Sequence, residues 1–175
     1  RLRTVTGVQT CALPISNQAA TETLLSVART LELPDGYRSE VGLAARAFVR
    51  SIREMLEQGV AFFFDYGFPR HEYYHPQRSE GTLMCHYRHR AHGDPFFLPG
   101  LQDITSHVDF SAIAQAGREA ELDLAGYASQ AQFLINCGIT ELLAEVSPED
   151  AARYLPLANA AQRLLSDRKS TRLNS

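Results

Sequence analysis

Lysine is almost missing from these 175 residues: Lys169 is the single one, so every other basic residue among the 17 is arginine. Positive charge as a whole is outnumbered, with 20 acidic residues and a formal net charge of −3. A protein that tracks nucleic-acid phosphates needs a basic stripe, and this balance argues against one. Cysteine is scarce too. Only Cys11, Cys85 and Cys137 occur, too few for a disulfide scaffold and suited to a reducing cytoplasm. No apolar run approaches the roughly 20 residues that a membrane-spanning helix requires. Neither G-x-G-x-x-G nor a P-loop occurs between Ser16 and Ser166, so that stretch offers no glycine-rich nucleotide loop.

What is present begins with the two ends, which encode each other. Asp167–Ser175 back-translates as GAT CGG AAG AGC ACA CGT CTG AAC TCC, and the reverse complement of that DNA translates as Gly7–Ile15, residue for residue. An inverted repeat of this kind resembles a sequencing-library adapter read through as protein. Residues 1–15 and 167–175 are therefore expected to be adapter-derived, and 16–166 to be natural chain lacking both of its own termini, so that targeting cannot be read. Between them the tips hold five basic residues and Asp167. The natural stretch keeps 12 arginines against 19 acidic residues, a formal charge of −7. Abundant alanine and arginine without lysine suggest a GC-rich bacterial genome. About 150 residues suffice for one domain with a real core or for part of a larger one.

Hydrophobic spacing organises the rest. Leu24, Leu25, Ala28 and Leu31 stand at helical intervals before the Pro34-Asp35-Gly36 turn signal. Val41–Gln58 predicts an amphipathic helix, with Phe48, Val49, Ile52 and Met55 on one stripe and Gly59 as its C-terminal stop. Val60–Asp65 is a continuous apolar run ending in a carboxylate, the pattern of a strand buried on both faces in a parallel sheet. Ligands of open α/β sheets bind beyond the carboxyl ends of the strands, which puts Asp65, Tyr66 and Gly67 at such an edge. Phe68–Leu101 is a long, aromatic, His- and Arg-rich connection of the kind that carries function, with Gly81–Tyr87 as one strand of a hairpin. Asp103–His107 reads as extended, and Asp109 as the N-cap of a helix from Phe110 to about Ala120. Ser129 with Gln132 resembles a capping box for a helix running to Cys137 and stopping at Gly138. Ser147-Pro148-Glu149-Asp150 predicts another start, for a helix continuing to Leu165.

Three constellations invite chemistry. Six histidines and Cys85 suggest zinc, but Cys85-His86-x-x-His89-x-x-His92 lacks the separated ligand pairs of structural sites, so no metal is assigned. Arginines 70, 78, 88 and 90 among Tyr73, Tyr74 and Tyr87 could stack on nucleic acid. Against the acidic balance, a solvated loop with ion pairs to Glu72, Glu80 and Asp94 is preferred, and no nucleic-acid partner is assigned. The third group is acidic: Glu40, Asp65, Asp103 and Asp109, with His107 beside them in sequence. Carboxylates at strand ends suit a cationic substrate or cofactor, although Asp109 serves equally as a helix cap.

Tyr37-Arg38-Ser39-Glu40-Val41, Phe63-Phe64-Asp65-Tyr66-Gly67, Glu72-Tyr73-Tyr74-His75-Pro76 and Arg78-Ser79-Glu80-Gly81-Thr82-Leu83 together resemble a known family. The likeness continues through Cys85–His92, Pro99-Gly100, Asp103–Phe110 and Gln130–Leu134. The chain is similar, over about Leu33–Ile139, to the MidA-type class I S-adenosylmethionine-dependent methyltransferases. That family includes the mitochondrial protein-arginine methyltransferase needed for respiratory complex I assembly. The resemblance implies an α/β fold, a partial Rossmann-like sheet with flanking helices. It also implies that the donor-binding glycine loop lies upstream, that Gly59–Asp65 is the fifth strand, and that the last strand follows Ser166. S-adenosyl-L-methionine is the implied cofactor, beside Tyr66 and Gly67. A protein side chain, arginine by analogy, is the implied acceptor. Asp65, Asp109, His107, Asp103 and Glu40 are the implied catalytic candidates. The fragment itself is expected to be inactive. A protein-interaction or assembly module, with catalysis secondary, is the alternative.

Overall fold

The structure, a computed structural model, describes residues 29–31, 33–34 and 36–166. The predicted helix around Leu24 and both end segments fall outside these residues, apart from its last member, Leu31. Two compact units divide between Leu124 and Ala125.

The first unit is α/β. Helix α1 (Leu43–Met55) is amphipathic as its spacing predicts but shorter at both ends, and Leu56 rather than Gly59 closes it. Its buried residue Val49 faces helix α3 (Phe110–Glu119), whose inward residues Ala112 and Ala116 are small enough to let the two helices approach. Arg50 and Glu119 bridge the rim of that contact at 3.0 Å. The apolar run Val60–Asp65 departs from its prediction. It joins no strand among the described residues, and Val60, Phe62 and Phe64 are each more than 60% exposed. A strand buried on both faces needs neighbours on both edges and cover on both faces, and the described residues supply neither. Phe63 meets α1, edge-on against Phe48.

Strand pairing begins one turn later. Strand β1 (Gly67–Phe68) runs parallel to β5 (Val108–Asp109), with Gly67 opposite Val108 and Phe68 opposite Asp109. Between them the chain forms short helix α2 (Arg70–Tyr73), a 3-10 turn (Pro76–Arg78) and an antiparallel sheet of order β3-β2-β4, from β2 (Met84–Tyr87), β3 (Arg90–His92) and β4 (Asp103–Thr105). The hairpin and the extended 103–107 segment agree with the sequence reading. Small parallel sheet, flanking helices and an inserted antiparallel sheet make a mixed α/β unit.

The second unit is helical: α4 (Gln130–Asn136), α5 (Ile139–Ala144) and α6 (Ala151–Leu165). Ser129 caps α4 through the Gln132 amide, and Gly138 stops it in the left-handed region. The Gln132 side chain donates onward to Asn136 Oδ1. The cap of α6 departs from its prediction. Asp150, not Ser147, accepts from the Arg153 amide, and Ser147 closes a preceding turn onto Glu149.

Candidate functional site

Glu40 is the most connected side chain of the first unit. The segment before α1 is laid onto the 75–83 loop by two bonds: the Arg38 amide donates to the Ser79 carbonyl at 2.8 Å, and the Tyr37 hydroxyl to the His75 carbonyl at 3.1 Å. Glu40 then receives the Leu83 amide at 2.9 Å, the Thr82 amide at 3.0 and 3.1 Å on its two oxygens, the Thr82 hydroxyl at 3.1 Å and the Tyr73 hydroxyl at 3.4 Å. A carboxylate offers about four acceptor sites, so this one is filled by its own chain. Gly81 is what allows the approach. Its φ is +80°, and a Cβ there would stand 2.4 Å from Glu40 Oε1. Tyr73 is buried (3% exposed), and burial, then the Glu40 charge, drives its phenol well above the usual tyrosine range.

Thr82 extends this cluster to His107, whose amide donates to the Thr82 hydroxyl at 3.0 Å. The His107 ring rests against Phe68, 5.1 Å between centroids, and Arg78 stacks on the same Phe68 ring at 3.9 Å. Asp109 follows two residues on. Its Oδ1 caps α3 through the Ala112 amide at 3.0 Å, as the sequence predicts, and its Oδ2 lies 3.7 Å from Arg70 Nε. Tyr74 is close enough to feel that carboxylate: burial first, then Asp109, pushes its phenol up to about 12. Arg70 and Tyr74, with His71, Thr30, Leu31 and Leu33, line an open cleft of about 320 Å³.

The remaining predicted residues separate into two places. Asp65 is exposed, and its Oδ1 accepts the amide of the next residue, Tyr66, at 2.7 Å. The Tyr66 carbonyl accepts the Val108 amide at 2.8 Å, so the Asp65–Tyr66 edge adjoins the His107–Asp109 segment through the parallel pairing. Asp103 stands opposite His86 in the antiparallel sheet. The structure thus joins Glu40, His107 and Asp109 through Thr82 and the β1–β5 pair, sets Asp65 beside Tyr66 at the adjoining edge, and places Asp103 on β4. The sequence reading gives Arg70 and Tyr73 a place only among stacking residues and assigns Thr82 and Gly81 no site role. Only Gly81, a glycine inside a polar turn, carried a signal of close backbone approach.

For a cofactor at the sheet edge, the two residues expected to receive it differ. Tyr66 is 55% exposed and can form a wall. Gly67 does not offer an open cradle, because a Cβ there would meet the Val108 carbonyl at 2.2 Å. Its missing side chain is explained by strand pairing. Among the described residues no group of three or more His, Cys, Asp or Glu stands at metal-binding geometry. His75 and His92 instead accept backbone amides two residues on, from Gln77 and Asp94. No described helix is long and apolar enough to cross a membrane.

Comparison with known proteins adds to this geometry. A family profile described as "Putative S-adenosyl-L-methionine-dependent methyltransferase" matches residues 6–128. A solved structure of an uncharacterized COG1565 superfamily protein from Burkholderia thailandensis is 58% identical, with a TM-score of 0.79, over 85% of this chain and 40% of its own. A second COG1565 superfamily member from that organism, described as a "likely methyl transferase" and bound to S-adenosyl-homocysteine, is 59% identical with a TM-score of 0.75. It matches over 86% of this chain and 38% of its own. The chain therefore spans about two fifths of the length of these solved relatives. No curated protein matches.

Proposed function

We propose that this chain, which belongs to the S-adenosyl-L-methionine-dependent methyltransferase family matched above, is the acceptor-side part of a class I methyltransferase domain. On this reading residues 16–166 are the natural stretch, and the parent methylates a protein side chain, arginine, in a reducing cytoplasm, where Cys85 and Cys137 stay free thiols. The observation that carries the reading is the juxtaposition of the Asp65–Tyr66 edge with the polar His107–Asp109 segment, in a chain 59% identical to a relative holding S-adenosyl-homocysteine. S-adenosyl-L-methionine, when bound, would supply an electrophilic methyl group, its carbon–sulfur bond breaking to leave the neutral thioether S-adenosyl-homocysteine, and Tyr66 is the residue here that fits beside it.

The chain's own residues then divide the remaining work. An arginine guanidinium keeps its proton up to about pH 12 and is a poor nucleophile in that state. As its nitrogen forms the new bond to carbon, that nitrogen must release a proton to a nearby base. Asp65 is the carboxylate with an oxygen to spare: Oδ1 holds the Tyr66 amide, while Oδ2 has no hydrogen bond among the described residues. In the proposal Oδ2 orients the guanidinium and receives the proton. Asp109 and Glu40 act one step back. Asp109 fixes Arg70 and the start of α3, and Glu40 holds the Thr82 loop that carries the His107 backbone. His107 is a second proton acceptor at the same edge, and Asp103, in the other sheet, has a lesser part.

The test uses an intact relative and this chain side by side. Asp65→Asn in the intact relative is expected to lower turnover by about a hundredfold, the low end for loss of a general base, while donor affinity stays within about twofold. Unchanged turnover in Asp65→Asn would overturn the assigned role. Calorimetry with S-adenosyl-L-methionine should show binding by the intact relative and none by this chain. Binding by both would move the donor site into this chain.

A further inference from the structure

We propose that the tip of the β2–β3 hairpin and the 94–101 loop form one docking surface for a protein partner, which it grips by an acidic segment bearing a bulky apolar side chain. Two independent features meet there. The first is charge. Residues 84–93 contain Arg88, Arg90 and three histidines and no acid, in a chain whose net charge is negative. Neither Arg88 nor Arg90 forms an ion pair among the described residues, contrary to the expected local pairing. Glu80 is taken by Arg38, Glu72 lies by His71, and Asp94 accepts the Phe96 amide. Asp103 stands opposite His86, in register with the other set of alternate positions.

The second feature is apolar. Phe96 and Leu101 are 67% and 69% exposed, and Phe97 and Leu98 at least 40%. This loop is tied down on its own terms: the Gln102 side chain donates to the Pro95 carbonyl at 2.7 Å, and the Asp94 amide to His92. The two features share a face. Phe97 lies edge-on to Tyr87 and to His92, Arg90 is the cross-strand partner of Tyr87, and the Arg88 guanidinium sits 5.4 Å over the Tyr87 ring. The turn itself reinforces the point. Arg88 and His89 both have positive φ, 46° and 64°, in a two-residue turn that Asn-Gly would fill without strain. Side chains at these positions are strained relative to glycine, and one of the two held at the tip is the Arg88 guanidinium. Guanidiniums flanking aromatic rings beside exposed Phe and Leu match carboxylates alternating with an apolar anchor. Nucleic acid fits less well, because its phosphates find no basic stripe beyond the tip and it has no aliphatic group for Leu98 and Leu101.

The inference does not depend on methyl transfer, and its test needs no donor. Short fluorescein-labelled peptides are titrated against the full chain by anisotropy: one alternating Glu with Leu and Phe, one with Lys for Glu, one with Ser for the apolar residues. The first should bind and weaken severalfold from 50 to 200 mM salt, since the contact is exposed, and the other two should bind at least about tenfold more weakly. Arg88→Glu with Arg90→Glu should lose about tenfold or more. Phe96→Ser with Leu101→Ser should lose a similar factor. All four side chains are exposed, and circular dichroism checks that each variant keeps its fold. Equal binding of the Lys peptide, or indifference to both double variants, would overturn the proposal. Tighter binding of a labelled single-stranded oligonucleotide would overturn it in favour of nucleic acid. Trypsin should also cleave after Arg88 and Arg90 in the intact relative. Protection there, with no peptide binding, would mean that the parent covers this face itself.

Discussion

Side chains do different work in the two units. In the first, Glu40 reaches amides 42 and 43 residues away and a hydroxyl 33 away, Thr82 is reached by His107 over 25 residues, and Ser111 holds the Arg70 amide over 41. In the second, Ser129, Gln132, Ser147 and Asp150 all bond within four residues, while Gln130 reaches the Leu164 carbonyl 34 residues on. The first unit is a loop assembly held by polar ties across the chain. The second is a set of capped helices whose apolar faces, Leu142, Leu143, Leu157 and Leu164 among them, meet one another along a shallow groove. Function gathers where the ties are non-local, because only such ties can bring distant residues to one edge.

The long ties of the first unit converge on Glu40. Replacing Glu40 by Ala removes the acceptor of two amides and two hydroxyls at once, in a part-buried position where water compensates incompletely. A loss of about 3 kcal/mol is expected, the upper part of the range for groups left unsatisfied, read as a shift of the urea midpoint. A shift below about 1 kcal/mol would show that the long ties contribute no more than helix caps do.

Gly81→Ala sharpens the same point with a smaller effect. The new Cβ suffers the left-handed backbone and the Glu40 oxygen together, for about 2 kcal/mol. Made in the Glu40→Ala background it should lose only the backbone part, about 1 kcal/mol. Strict additivity of the two changes would mean that the loop and Glu40 are not in contact.

A pH titration separates the units next. Tyr73 and Tyr74 have phenols raised by burial and by nearby carboxylates, Tyr74 to about 12 from an ordinary 10.0. A raised phenol pKa means that folding favours the neutral form. That stability is complete below about pH 10 and is lost as pH rises through the folded value. The first unit should therefore weaken between about pH 10 and 12, and Tyr74→Phe should flatten part of the slope. The urea midpoint at several pH values measures it, and a slope untouched by Tyr74→Phe would place the titration elsewhere.

What could be read from sequence follows the same division. The caps at Ser129 and Asp109, the stop at Gly138, the hairpin and the helices at 43–55, 110–119 and 151–165 are written in neighbouring residues, where spacing and propensity act directly. Asp65 and Tyr66 are expected at the carboxyl end of a strand because a run of apolar residues announces its own end. The same run did not form a strand among the described residues, since pairing depends on residues elsewhere in the chain. Glu40 could be singled out as an acid but not as a clamp, because nothing near it in sequence names Thr82 or Leu83. The shift of the last helix cap from Ser147 to Asp150 is a competition between two good caps three residues apart, which propensity alone does not resolve.

The smallest expected effect tests the local side of the comparison. Ser129→Ala removes one side-chain bond, to the Gln132 amide at 3.2 Å, at an exposed helix end where water can take its place. The cost should be about 0.5–1 kcal/mol. Because the tie is local, the loss should appear as faster amide hydrogen exchange over 130–136 while the amides of Thr82, Leu83 and His107 exchange unchanged. Acceleration at Thr82 and Leu83 as well would make the two units one cooperative body. In that case the Glu40 clamp, and with it the edge where Tyr66 pairs with Val108, would draw stability from the helical unit as well as from its own long ties.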